Sequence, residues 1–428
     1  MVPDDDDDED LTSGVVPPLA EPPTPQPPKL EPAPIAEEKQ LATTGVPAQD
    51  SEVDPGEGVV PDLVPPPEIK REFAPAPWHR PRKQYIRTKQ WNHELVEKVI
   101  RARRDEEGVV RVFGLPSADY LDLLSMRELC EEHEYVVSYL GFNYGYEGST
   151  KDGAVDLYAE LGMRSVMDAS SFVHTNSTLV ADRFERIRST KSMSRKALNN
   201  FIHFDVVNLD ICGCVGSEQE TIDAMATLLS WQSTRRLDPW LFYVTTNANK
   251  AEVNLEHCSA LAEAIVAAAA KCEGFEQELQ QKSGMTSAQV LDIFKANAAT
   301  PDQDAFLRLF GLVVGEWVSA QLQKPVPPAN VTMLPSYVFR HDKRAEPEML
   351  SLAYLITPKP SEEKKDPLEA FCRHAKKLIA KSYEVKDLDG ILEQDATLRN
   401  AMADQTVALL VQQGFDAKTV EAFMQQYR

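Results

Sequence analysis

The chain has 428 residues, enough for two folded units of ordinary size plus tails. Its formal net charge is −22, and residues 1–70, with 17 acidic and 3 basic side chains, carry −14 of it. The other 358 residues carry only −8, which excludes a uniformly basic nucleic-acid coat, and a hydrophobic content of 43% is ample for a core.

Residues 1–70 are expected to be a disordered acidic, proline-rich tail. They hold 16 of the 30 prolines, and proline removes backbone donors and fixes φ, so neither helix nor sheet propagates. Asp4–Asp10 is an unbroken acidic run. It is either a solvated tail or a phosphate-like strip for a basic surface, and the residues do not choose between them. No apolar run approaches the ~18 residues of a membrane span, and an acidic block after Met1 is unlike a signal peptide. Six thinly spread cysteines fit a reducing, cytoplasmic setting. Cys212 and Cys214 form a lone CxC without a second pair, so no metal site is expected.

From Arg71 to Trp91 the sign of the charge reverses. Arg71, Arg80, Arg82, Lys83, Arg87 and Lys89 face a single acid, Glu72, and Phe73, Trp78, Tyr85 and Trp91 are interleaved with them. Such a stretch either contacts nucleic-acid phosphates and bases, through Arg80, Arg82, Lys83, Arg87 and Lys89, or pins an arm onto the body with its rings buried and its cations paired. The burial of rings is the commoner use.

The body begins near Asn92 with a helix over Asn92–Arg104. A strand follows at Val109–Leu115, then a helix over Ser117–His133 and a strand at Tyr135–Phe142. The loop Asn143–Gly153 leads to helices at Ala154–Leu161 and Ser177–Arg188. Strands at Phe201–Leu209 and Trp240–Thr246 flank a helix at Glu218–Gln232, and helices follow at Leu255–Cys272 and Asp304–Gln323. This alternation predicts an α/β fold with a mostly parallel, Rossmann-like sheet covered on both faces. The strands at Asn330–Arg340 and Met349–Pro358 are too close for a crossover helix and so form an antiparallel hairpin. Pro358–Pro367 reads as a linker, and Leu368–Arg428 as a small helical region able to take a protein partner.

This order of elements, over Val109–Pro358, resembles the class I S-adenosylmethionine-dependent methyltransferase superfamily, whose seven-stranded sheet ends in an antiparallel hairpin. The chain departs from that pattern at its cofactor turn, which reads Gly114-Leu115-Pro116-Ser117-Ala118-Asp119 with one glycine in place of GxGxG. The second strand ends in Gly141-Phe142-Asn143, where the family has an acid for the ribose. Asn208-Leu209-Asp210-Ile211-Cys212-Gly213 matches the motif that faces the transferred methyl group, without the proline-aromatic tail of base-modifying enzymes. The resemblance implies S-adenosylmethionine as cofactor and a nucleic-acid or protein acceptor.

A ligand of such a sheet lies outside the carboxyl ends of the strands. Gly114 and Pro116 would shape the amide turn for the amino-acid end, with Asp119 either on its ammonium or favouring a helix start. Gly141, Asn143 and Tyr144 would take the ribose and adenine, or form a loop without a ligand. Asp210 closes an apolar strand, where a carboxylate needs a partner; it is the candidate catalytic residue, able to take a proton from a hydroxyl or amine. The alternative is a non-catalytic Rossmann-like scaffold in a multiprotein or nucleic-acid complex, which the missing glycines favour. His203, inside a strand, reads as a core residue. Cys130 and Cys272 read as core as well.

Overall fold

A computed structural model describes residues 73–103, 107–117, 119–143, 171–211, 213–342, 346–359 and 367–428. The acidic tail, the Ala154–Leu161 helix, Tyr144, Cys212 and most of the 358–367 linker lie outside the described residues.

The expected sheet is present. Its strands are β1 (Val109–Gly114), β2 (Val136–Phe142), β3 (Thr178–Val180), β4 (Val206–Asp210), β5 (Trp240–Asn247), β6 (Ala329–Met333), β7 (Tyr337–Phe339), β8 (Met349–Pro358) and β9 (Lys386–Asp387). They lie in the order β3-β2-β1-β4-β5-β8-β7-β9, with β6 also paired to β8. The β1 to β5 pairs are parallel, whereas β8 runs antiparallel to β5, β6 and β7. The short connection between the last strands therefore makes the antiparallel closure that its length requires. One expected strand, Asn330–Arg340, is split in two, and Ser336 in the gap donates its hydroxyl to the Leu334 carbonyl.

Alternation along the strands sorts the core into two faces. Phe113, Leu140, Val207, Leu209, Phe242 and Val244 point to one side, beneath the helices Gln219–Ser233, Leu255–Lys271 and Gln303–Leu322. Val110, Val112, Val137, Tyr139, Val206 and Tyr243 point to the other, where Ile86, Trp91 and Leu95 of the arm and Met402, Leu410 and Met424 of the C-terminal helices pack. The helical C-terminal region is thus part of one sheet face, and β9 extends the sheet beside β7. The Gln303–Leu322 helix is long and apolar enough to cross a membrane, with a mean hydropathy of 1.3, but 78% of that stretch is buried against the sheet and its neighbours.

Other expected elements differ from the structure as well, among them the Asn92–Arg104 helix, which is α-helical only over His93–Lys98 and 3-10 over Ile100–Ala102. The helix at Ser177–Arg188 is instead β3, an edge strand on β2, followed by a 3-10 turn at Phe184–Arg188. Buried Asp182 organises that segment by accepting from the Ser194 hydroxyl at 2.7 Å and from Arg186 at 3.1 Å. The strand Phe201–Leu209 shrinks to Val206–Asp210 because side chains claim its first half. The Gln232 amide brackets Phe204, and Asp205, wholly buried, accepts from Arg103, Arg236 and the Arg111 amide. His203 there accepts from Arg236 at 2.7 Å, and burial lowers its pKa to about 4. The long helix after β1 is broken into Leu121–Leu124 and Arg127–His133. Cys272 is buried as expected and also forms a disulfide with Cys372.

Candidate functional site

The carboxyl rim of the sheet gathers its chemistry at the ends of β1, β2 and β4. Parallel register sets Gly114 beside Gly141 on one side and beside Asn208 on the other. Asn208 and Asp210 are two residues apart on β4, so both point to the face that carries the arm. Asp122, from the short helix after β1, completes the polar group. This is the place where a parallel α/β sheet binds ligands.

The arm covers this rim. Pro77–His79 is a 3-10 turn, Pro81–Tyr85 a short α-helix, Ile86–Asn92 a π-helical stretch, and His93–Lys98 α-helix again. Pro81 supplies the fixed φ suited to a first helical turn. The wide stretch delivers Trp91, whose carbonyl accepts from the Tyr243 hydroxyl at 3.0 Å. Gln90 donates to the Pro335 and Ser351 carbonyls and accepts from the Ser351 hydroxyl at 2.7 Å. The arm is therefore fastened to β5 and β8 by buried hydrogen bonds as well as by apolar contact.

Each rim acid then meets an arm side chain. Lys83 Nζ lies 2.5 Å from Asp210 Oδ1 and 4.7 Å from the Trp91 ring centre. Arg87, fully buried, donates from Nε to Asp122 at 2.7 Å and from Nη1 to the Trp78 carbonyl at 3.0 Å. Asp119 accepts from Trp78 Nε1 at 3.0 Å and lies 2.7 Å from His79 Nε2. The Ala76 amide donates to His79 Nδ1, which leaves Nε2 as the nitrogen that carries hydrogen toward Asp119. Burial pushes the Asp210 carboxyl above its ordinary value, and the Lys83 charge opposes that shift.

The glycines are used in a way the sequence does not reveal. A Cβ on Gly114 would stand 2.6 Å from the Tyr139 hydroxyl, and one on Gly141 would stand 2.6 Å from the same ring. The absent side chains thus make room for Tyr139. Pro116 packs on Gly141. Beneath the arm, Gly114, Asp122, Tyr139, Asn208 and Trp91 enclose a cavity of about 30 Å³, room for a water or two at about 10–15 Å³ each. Asn208 Oδ1, in that lining, and Nη2 of Arg87, which pairs with Asp122, are buried without a hydrogen-bond partner among the described residues.

The cavity beneath the arm is too small as it stands for the amino-acid end of S-adenosylmethionine that the resemblance would place there. A cofactor-sized ligand needs ~300 Å³ or more, the glycine notch holds Tyr139, and Lys83 takes the carboxylate at the rim. The helix meant to offer free amides is only Leu121–Leu124, and the Asn92 amide group caps the Ser125 carbonyl after it at 2.7 Å. Asn143 continues the β2 pairing, its backbone N–H donating a hydrogen bond to the Val180 carbonyl at 3.2 Å. It lines neither rim cavity and stands two strands away from Asp210. Gly114 and Asp210 are therefore brought to one rim, and Asn143 is not joined to them. The sequence marks Lys83 and Arg87 as cations of the arm but not as partners of Asp210 and Asp122, and it does not mark Asp122 at all. The signal for these pairs was the expected pairing of the arm's cations with an acidic body.

A second, larger cavity of about 440 Å³ opens on the other side of Lys83, between the arm, Asp210 and Thr245 at the ends of β4 and β5, and the turn after β7. Arg82 crosses it to reach Asp389 at 3.1 Å and the carbonyls of Arg340 and Asp342.

The strand order and the antiparallel closure define a Rossmann-like α/β fold with a mostly parallel sheet. A family model described as PP_RS20740-like matches residues 70–425, and the chain belongs to that family. No curated protein matches it. Among solved structures, PKMT2 from Rickettsia typhi is similar at 12% identity with a TM-score of 0.31, over 69% of this chain and 56% of that one. The chain spans little more than half the length of that protein, and the fold assignment rests on this chain's own strand pairing.

Proposed function

We propose that the protein is a methyltransferase-like binding module, a scaffold rather than a methyl-transfer catalyst, in which its own arm takes the position of the cofactor's amino-acid end. One observation carries this reading: Lys83 on Asp210, Arg87 on Asp122 and Tyr139 in the Gly114–Gly141 notch leave about 30 Å³ beneath the arm. Lys83 provides the positive charge that a sulfonium or ammonium group would otherwise bring to this carboxylate. The fold is retained because its sheet faces bury the arm and the C-terminal helices, which suits an assembly platform.

The test is a calorimetric titration of the full chain with S-adenosylmethionine. The expected result is no saturable heat, and no rise in melting temperature at cofactor concentrations that would give a linkage shift of several degrees for a micromolar site. Saturable binding that disappears in Asp210→Ala would sink the proposal and establish a second reading, an S-adenosylmethionine-dependent methyltransferase with a nucleic-acid or protein acceptor. That reading draws support from the unpartnered Asn208 Oδ1 and Arg87 Nη2, and it requires the arm to leave the rim.

A further inference from the structure

The 440 Å³ cavity is a site of its own and shares no lining residue with the small cavity beneath the arm. Its volume falls within the range of small-molecule pockets, ~300–1,000 Å³. Trp78 and the buried Phe339 supply aromatic wall, and Pro75, Pro77 and Met349 extend it. The charged lining is mostly cationic, Arg82, Lys83 and Arg340 against Asp210 alone, with the His341 imidazole beside them.

Those cations are crowded. Burial lowers the pKa of Arg82, and Arg80 and Arg340 press on it in the same direction against the attraction of Asp389. Protein acids neutralise part of the group: Asp210 takes Lys83, Asp389 takes Arg82, and Glu393, largely exposed, takes Arg340. Donors remain in surplus. Arg340 Nε, in the lining, is buried without a hydrogen-bond partner among the described residues, as are Nε and Nη1 of Arg80, which lies outside the lining. A buried guanidinium N–H left unpaired is costly unless an anion completes it.

The geometry points to a binding site for a small aromatic phosphate of the nucleoside monophosphate class. Its phosphate lies among Arg82, Arg340 and His341, and its ring lies against Trp78 and Phe339. A phosphate accepts from several guanidinium donors at once, and a flat ring suits both the aromatic wall and the adjoining cations. This inference uses a different cavity from the seat beneath the arm, and it rests on the reading that the arm stays on the rim, because Pro75, Trp78, Arg82 and Lys83 of the arm wall the cavity.

Adenosine 5′-monophosphate, adenosine and inorganic phosphate are titrated separately into the full chain, with melting temperature and calorimetric heat as readouts. The monophosphate is expected to bind saturably, and more tightly than either part alone. Arg340→Gln should weaken it about tenfold, the worth of one charge-assisted hydrogen bond, while the unliganded melting temperature stays within a degree or so, because its partner Glu393 is exposed. Binding by none of the three probes would overturn the inference, as would binding that Arg340→Gln leaves unchanged. Inorganic phosphate matching the monophosphate would overturn the aromatic half. A single-stranded oligonucleotide that displaces the monophosphate whether or not it bears a terminal phosphate would overturn the small-molecule assignment in favour of a nucleic-acid surface.

Discussion

Glu316 shows how far one residue can sit from the chemistry its type suggests. It lies on the Gln303–Leu322 helix, 1% exposed, and both carboxyl oxygens lack a hydrogen-bond partner among the described residues. Burial raises its pKa well above the ordinary 4.5, so the folded state holds the proton that the unfolded chain releases. For an acid shifted upward, the stabilising contribution is complete below the unfolded value and is lost as pH rises toward the folded one. Glu316→Gln removes that proton linkage. The variant should match the wild type near pH 4.5 and become progressively more stable above it, by at most about 1.4 kcal/mol per pH unit. Urea midpoints at several pH values between about 4.5 and 8 measure this, and a constant difference would show that the carboxyl ionises in the fold. His203 runs the opposite way: with its pKa lowered to about 4, it loses stability as pH falls below 6.5.

The arm behaves as an element of the core rather than as an appendage. Ile86, Trp91 and Leu95 are buried in the same cluster as Val112, Val206 and Tyr243. Its coupling to the rim is measurable through Lys83 and Asp210, whose side chains are 7% and 17% exposed. Removing either partner leaves a charge largely buried and alone, so Lys83→Ala and Asp210→Ala should each cost about 2–4 kcal/mol. The double variant should recover about 1–3 kcal/mol of the summed loss. Additive costs would mean that the pair does not hold the arm down. The residues themselves indicated that rings interleaved with cations suit a pinned arm; Trp78, Tyr85 and Trp91 all pack on or within that face. Which acids receive the cations was not legible, because Asp119, Asp122 and Asp210 meet the arm only after the strands align. The edge strand β3 was read as a helix for a similar reason: three residues carry little local signal, and pairing with β2 decides them.

At the scale of the whole molecule, one sheet face is completed from both ends of the described chain. The arm covers part of it and the segment from Leu388 onward covers the rest, through Leu388, Met402, Leu410, Phe415, Val420 and Met424. Each buried large apolar side chain contributes about 1.5–3 kcal/mol, so losing six costs about 9–18 kcal/mol, comparable with a typical total stability of about 5–15 kcal/mol. A chain ending at Val385 is therefore expected to lose its cooperative unfolding transition and to bind a hydrophobic dye such as ANS. A sharp transition with unchanged midpoint would show the C-terminal helices to be a separate unit.

What the sequence determined by itself was periodicity and spacing. Alternating apolar runs, turn residues and a connection too short for a helix dictate a parallel sheet with an antiparallel close, since these are local properties of the backbone. What only the tertiary structure decided was who occupies the rim. Gly114 and Gly141 look the same in sequence whether their missing side chains admit a ligand or the Tyr139 ring. The difference arises from neighbours brought together across strands, and no local pattern encodes it.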